Sequence, residues 1–218
     1  MFRHQGKTRT LSHNLKIASL LSFVAGIVNV AGFFAVQRLT TNVTGHFAFF
    51  IDEVFKLDFW RGLVYFLYIF FFLLGSFVSG FLVEVIARKN ERLIYILPVL
   101  IECVVLLVVG TLTPYFITNH PDTIAFSLLF AMGLQNSLVT SISNAAVRTT
   151  HLTGLFTDLG IELSQLFFYR HKEQKQKLHA SIRLRLTIIS FFFLGGVLGA
   201  VLYSKINLHV LIVAGALL

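Results

Sequence analysis

Two polar strings in this chain repeat each other, and each one interrupts a long apolar run. Gly26 and Asn29 precede Thr40, Thr41, Asn42, Thr44 and Gly45; Gly133 and Asn136 precede Thr149, Thr150, His151, Thr153 and Gly154. The strings read T-T-x-V-T-G and T-T-x-L-T-G, 109 residues apart, with the upstream Gly and Asn 107 apart. Lipid offers no hydrogen bonds, so backbone that leaves a helix at membrane depth must find partners in protein or in a water-filled cavity. A pair of such interruptions in corresponding halves points to a binding site of the transporter type. The repeat therefore restricts the chain to folds with two related, broken-helix halves.

Composition agrees. Of 218 residues, 56% are hydrophobic and 13% charged, with 24 phenylalanines, and the mean hydropathy is +0.80. That balance excludes an ordinary soluble domain. The one cysteine, Cys103, lies in an apolar run and reads as a small buried hydrophobe. A formal charge of +8 could suggest nucleic acid, but the basic residues are confined to particular loops, so no nucleic-acid partner is expected.

A helix needs about 20 mostly apolar residues to span. Candidate runs cover 15–36, 62–87, 92–113, 122–146, 186–204 and 206–218; the last has only 13 residues. With the N-terminus in the cytoplasm, fourteen basic residues fall inside: Arg3, Lys7, Arg9, Lys16, Arg88, Lys89, Arg92, Arg148, Arg170, Lys172, Lys175, Lys177, Arg183 and Arg185. Arg38, Lys56, Arg61 and Lys205 remain outside. The split follows the positive-inside rule and places both termini in the cytoplasm.

The duplication extends to a Phe-rich run. Phe70 to Gly75 resembles Phe191 to Gly196, so that Gly75 and Ser79 align with Gly196 and Ala200. Small residues four apart let helix backbones approach in lipid. The spacing grows because the second half carries a charged insert, Arg170 to Ser181. Each half reads as span, motif, amphipathic piece, Gly-containing span and third span, dividing the chain at 1–118 and 119–218. Three spans is an odd number, so the second half enters the membrane inverted, as in many secondary transporters. The expected fold is an all-α membrane protein of six transmembrane helices in two inverted three-helix repeats.

The motifs carry the chemistry. Thr and Asn side chains compete with helical backbone for hydrogen bonds. Thr44 and Thr153 are expected to cap helices running from Gly45 to about Leu57 and from Gly154 to about Tyr169. Helix N-termini facing mid-depth would suit an anion or a carbonyl oxygen. Asn29, Thr41, Asn42, Thr44, Gly45, His46, Gln135, Asn136, Thr150, His151, Thr153 and Gly154 are the candidate solute-binding residues, with the two motifs meeting near the midplane. His46 and His151 could each bind a proton or a polar ligand near neutral pH; an interhelical hydrogen bond serves equally well. The histidines lack metal-ligand spacing, so no metal is expected.

Glu102 lies mid-span and is the proton-coupling candidate, expected to be uncharged at rest because an ionised group there is costly. Glu84 reads as a partner for Arg88, four residues on. Asp158 and Glu162 share a helix face; Asp158 also suits the helix dipole. The basic run 170–185 signals orientation first and anionic lipid second. No nucleophile elbow, phosphate loop or HExxH string is present in the sequence, so neither an enzyme nor a bound cofactor is expected.

With these residues in view, the chain resembles the YoaK family of bacterial inner-membrane proteins, a group of unknown function. Gly26, Asn29 and Phe33, Thr41 to Gly45, Gly133 to Asn136 and Thr149 to Gly154 carry the likeness, which spans nearly the whole chain. It implies a polytopic protein of the bacterial inner membrane. The family commonly has Asp at the place of Asn29 and Asn at that of His46, so a coupling carboxylate at position 29 is not carried over.

The reading is a secondary transporter for a small polar or anionic solute, working by alternating access. The alternative is a non-transporting interaction or scaffold protein that holds a partner or anionic lipid. Membrane lipid is the expected surrounding, and a homo-oligomer stays open.

Overall fold

The computed structural model describes residues 10–87, 94–112, 114–143 and 147–218. Among these there are helices and no strand: α1 (Leu11–Val36), α2 (Thr44–Phe55), α3 (Phe59–Ala87), α4 (Ile96–Gly110), α5 (Pro114–Asn119), α6 (Pro121–Ser143), α7 (Leu152–Gln165), α8 (Lys172–Ile206) and α9 (Val210–Leu217). Arg3, Lys7, Arg9, Lys89 and Arg92, used above for orientation, and the Glu84–Arg88 pairing lie outside the described residues.

Four helical stretches are long and apolar enough to cross a membrane: α1, α3, α6, and α8 continued into α9. α4 has 15 residues and α9 eight, so two of the six expected runs form helices shorter than a full span. Asn207, with φ 50°, ends α8, and its N–H is donated to the Tyr203 carbonyl. A 3-10 turn, Asn207–His209, then leads into α9. The charged insert is helical rather than a loop. It forms the first turns of α8, supported by the Lys177 to Glu173 pair at 2.8 Å and by Leu178 and Ile182 packing on Leu159 of α7. Lys, Glu and Gln are good helix formers, so the insert lengthens the helix instead of breaking it.

Two helix pairs build the bundle, α1 against α8 and α3 against α6. Both are made by glycine. A Cβ on Gly26 would sit 2.1 Å from the Phe192 carbonyl oxygen, and one on Gly195 would sit 2.0 Å from that of Phe23. In the other pair, Gly75 would meet the Phe130 carbonyl at 2.0 Å and Gly133 that of Phe72 at 2.1 Å. In lipid, association relies on close van der Waals packing, because apolar tails satisfy apolar side chains equally well. Only glycine permits this approach, so the backbones touch. The residue that does for α8 what Gly75 does for α3 is Gly195. The run alignment through Gly196 is therefore off by one residue.

The contacts also give directions. Phe23 meets Gly195 and Ile27 meets Gly199, so α1 and α8 run parallel. Ser76 meets Gly133 and Gly80 faces Ser137, so α3 and α6 do the same. Leu21 meets Gln135 whereas Gly32 meets Leu128, which makes α1 and α6 antiparallel. Gly110 lies on Ile212 and Gly215 on Cys103, so α4 and α9 are antiparallel as well. In their most apolar stretches α1 and α6 are 61% buried, against 17% for α3. α3 and α8 turn Phe70, Phe77, Phe81, Phe191 and Phe193 outward, as helices that face lipid do.

Gly133→Ala and Gly195→Ala should each push a touching pair apart and cost about 1–3 kcal/mol. Gly160→Ala adds a methyl with nothing within 4 Å and should be neutral or slightly stabilising. Thermal unfolding of the purified variants in detergent checks this; equal effects at all three positions would refute the close-packed crossings.

Candidate functional site

α1 stops because Gln37 turns into the left-handed region, φ 53°, and donates its N–H to the Phe33 carbonyl at 2.8 Å. The chain then folds back on the helix it has left. Thr40 donates to the Val28 carbonyl at 3.4 Å, and Thr41 donates to Asn29 Oδ1 at 2.7 Å. Gly32 makes room, since a Cβ there would lie 2.5 Å from Thr40 Oγ1. The second motif repeats the arrangement on α6. Asn136 donates Nδ2–H to Thr150 Oγ1 at 2.7 Å, and Gln135 donates to Thr149 Oγ1 at 3.0 Å and to the Leu21 carbonyl of α1 at 2.9 Å. Thr40, Thr41 and Thr149 are buried. The recurring Asn and Thr thus form latches that satisfy folded-back chain.

Two expectations are corrected here. Thr44 and Thr153 do not cap: the helices begin at Thr44 and Leu152, with Val43 and His151 in the N-cap positions and no side-chain cap bond at either. The motif glycines instead admit a preceding side chain over the first turn. A Cβ on Gly45 would meet Leu39 at 2.4 Å, and one on Gly154 would meet the His151 ring at 2.3 Å. The motifs also do not converge. They enter from opposite ends of the bundle. Gly32, which faces Thr40 of the first motif, also faces Leu128 of α6, whereas the second motif is held by Gln135, seven residues or about 10 Å further along that helix. Thr44, His151 and Thr153 are exposed and Asn42 is half-buried.

What lies beside the first motif is a polar cleft of about 390 Å³, lined by Arg38, Glu53, Trp60, Arg61, Val64, Tyr65, Tyr68 and Asp122. Tyr68 is fully buried. Its hydroxyl donates to Asp122 and accepts from Arg38 Nε at 3.3 Å, while Arg38 and Asp122 also pair at 3.7 Å. This triad ties the loop after α1 to α3 and to the start of α6. Arg61 is largely exposed and pairs with Asp58 at 3.4 Å, which leaves its guanidinium accessible. His46, 1% exposed, donates Nε2–H to the Leu39 carbonyl at 2.5 Å and packs on the Tyr68 ring at 4.5 Å. Its Nδ1 has no partner among the described residues. Burial holds the imidazole below its ordinary range, partly opposed by the Leu39 bond, and the ring stands as a strut between the motif and the triad.

The charged contacts at the opposite end are of another kind. Arg185 of α8 reaches both Asp158 at 3.0 Å and Glu162 at 2.8 Å on α7, and Ser181 donates to Glu162 at 2.6 Å. Asp158 and Glu162 share a face as expected, with a cation between them. Glu102 is completely buried, and neither of its oxygens has a hydrogen-bond partner among the described residues.

Sequence reasoning missed Arg38, Tyr68 and Asp122. Arg38 served only as an outer basic residue, and Asp122 stood at a span boundary. The one available signal was Tyr65 and Tyr68, two hydroxyls one helical turn apart in a Phe-rich run.

This is an all-helical protein of the membrane-crossing kind, with a polar cleft at one end and buried Asn–Thr latches. Residues 17–218 match the family described as "Protein of unknown function (DUF1275)", and the chain belongs to that family. No curated protein and no solved structure matches it.

The latches predict where coupling resides. In a double-mutant cycle, Asn136→Ala and Thr150→Val should show an interaction of about 1 kcal/mol, as residues in direct contact do. Thr44→Val and Thr153→Val, at opposite ends, should add within about 0.5 kcal/mol. Coupling between the distant pair and none within the latch would contradict the geometry.

Proposed function

We propose that this protein is a secondary transporter for a small polar or anionic solute, with the cleft beside the first motif as its entry site. The observation that carries the reading is the cleft itself, where charge stays accessible beside the triad that Arg38, Tyr68 and Asp122 form across the two halves. A polar cleft where two halves meet is where alternating access would admit a solute.

The alternating directions of α1, α3, α4, α6, α8 and α9 support six membrane segments, with α4 and α9 completed by flanking residues. The matched glycine crossings support two inverted halves, 1–118 and 119–218, because each pair joins the first long helix of one half to the second long helix of the other. Rocking one half against the other would then break the Arg38–Tyr68–Asp122 triad, which joins them at the cleft. Asn29, Thr41, Gln135, Asn136 and Thr150 would hold the broken segments during that motion. Asn42, Thr44, Gly45, His151, Thr153 and Gly154 would line paths to either surface, and His46 would couple motif to triad. A YoaK-like affiliation and a bacterial inner-membrane location, with both termini cytoplasmic, complete the reading. Neither enzymatic activity nor a cofactor belongs to it.

A second reading has an observation of its own. Between α1, α7 and α8 lies an apolar groove of about 420 Å³, lined by residues such as Val30, Phe156, Phe192, Phe193 and Val197. A lipid acyl chain or a partner helix would fit it, as a scaffold protein requires.

Purified protein in vesicles, tested against small amino acids, carboxylates and phosphate, should accumulate one class several-fold above empty vesicles. Cysteines replacing Arg38 and Asp122, bridged by a cleavable bifunctional thiol reagent in a background with Cys103 replaced, should abolish that uptake until the bridge is cut. Should no class move, with the protein retaining bound lipid through purification, the scaffold reading takes precedence.

A further inference from the structure

The apolar core is split in two. One cluster includes Val24, Leu106 and Met132; the other includes Leu21, Val99 and Leu138. On each helix the break falls at a buried polar residue: Ser22 on α1, Glu102 on α4 and Gln135 on α6. On α3 it falls at Ser79, between Phe72, packed on the first cluster, and Val83, packed on the second. All four side chains are 0% exposed. The hydroxyls of Ser22 and Ser79, both carboxyl oxygens of Glu102 and Oε1 of Gln135 have no hydrogen-bond partner among the described residues. α6 is the hub, since it packs on α1, α3 and α4.

The donor set decides the ligand class. Gln135 already spends its amide hydrogens on the Leu21 carbonyl and Thr149, so its free atom is an acceptor. Glu102 adds two acceptor oxygens, and each hydroxyl can donate one hydrogen while still offering lone pairs. Oxygen acceptors therefore outnumber hydrogens, and a fixed positive charge is missing. Among the described residues, the elements packed on α4 place no cation at this depth. α6 carries only Asp122, at its far end; α9 has no ionisable side chain. α3 has Arg61, Tyr65 and Tyr68 towards the cleft and Glu84 towards the other end, and His209 lies in the turn before α9. An unpaired carboxylate buried in a membrane protein is costly, and none of these groups bonds another.

We propose that Ser22, Ser79, Glu102 and Gln135 form a mid-depth site for one small monovalent cation, a proton on Glu102 or a sodium ion bound to the oxygens. It deepens the transporter reading by supplying a coupling ion. It also ties the ion to the second motif, because Gln135 holds Thr149. The site is closed from both ends by the apolar clusters.

Difference infrared spectroscopy and radiolabelled sodium binding, on the purified full-length protein in detergent, test it without requiring transport. At neutral pH in sodium-free buffer, the wild type should show the carbonyl band of a protonated carboxyl, lost in Glu102→Gln. If that band persists when sodium is added, the ion is the proton. If sodium removes it, or binds in the wild type and not in Glu102→Gln, the ion is sodium. Should Glu102→Gln fail to fold, Ser79→Ala serves instead, shifting the band or weakening sodium binding several-fold. A wild type with neither a protonated-carboxyl band assignable to Glu102 nor sodium binding overturns the proposal. That result would leave solute uptake untouched, and absence of uptake would leave the ion site standing.

Discussion

Contact between bare backbones organises this molecule. Helices in lipid gain nothing by burying apolar side chains against one another, so a bundle holds where surfaces approach closely enough for dispersion to accumulate. Gly26 and Gly195 in one pair, and Gly75 and Gly133 in the other, bring carbonyl oxygens to where a Cβ would stand. Each crossing joins α1 to α8 or α3 to α6, and everything else is placed by them. Residues 37–43 after α1 and 147–151 after α6 pack back on those helices because the helices are pinned, and α2 and α7 pack on α3 and α8.

The pinning explains why polar side chains in the core sit where they do. Asn29 with Thr41, and Asn136 with Thr150, hold folded-back chain that has no helical partner. Gln135 does more, because it reaches across to the Leu21 carbonyl of α1 while holding Thr149. Val28, the residue 107 positions earlier, has only a side chain without hydrogen-bonding atoms. The two ends therefore differ in chemistry while sharing geometry. One carries a charged cleft and the Tyr68 triad, the other Arg185 between two carboxylates.

Much of this was legible before any coordinates. The motif repeat located both breaks, the upstream Asn marked both latches, and apolar runs located the long helices. Glu102 stood out as an acid inside an apolar run, and it is indeed wholly buried. Other features depend on three dimensions. Periodicity cannot tell whether a charged insert loops out or extends a helix, and residues 172–181 extend α8. Similar strings do not reveal depth, so the motifs' failure to meet could not be read from Thr44 and Thr153. The triad joins residues 30 and 54 positions apart from separate elements, none of them in a motif. Register in a Phe-rich run is equally ambiguous: Gly195 and Gly196 are adjacent, and only the crossing shows which one meets a carbonyl.

The central claim is that the two motifs enter the bundle from opposite ends, each following one of the antiparallel helices α1 and α6, and cysteine accessibility in intact cells tests it most directly. Both Thr44 and Thr153 are exposed, so Thr44→Cys and Thr153→Cys, each with Cys103 replaced by Ala, can be probed with a membrane-impermeant thiol reagent. The account predicts labelling at position 44 from outside, and labelling at position 153 only after the membrane is opened. Labelling of both positions from the same side would contradict it.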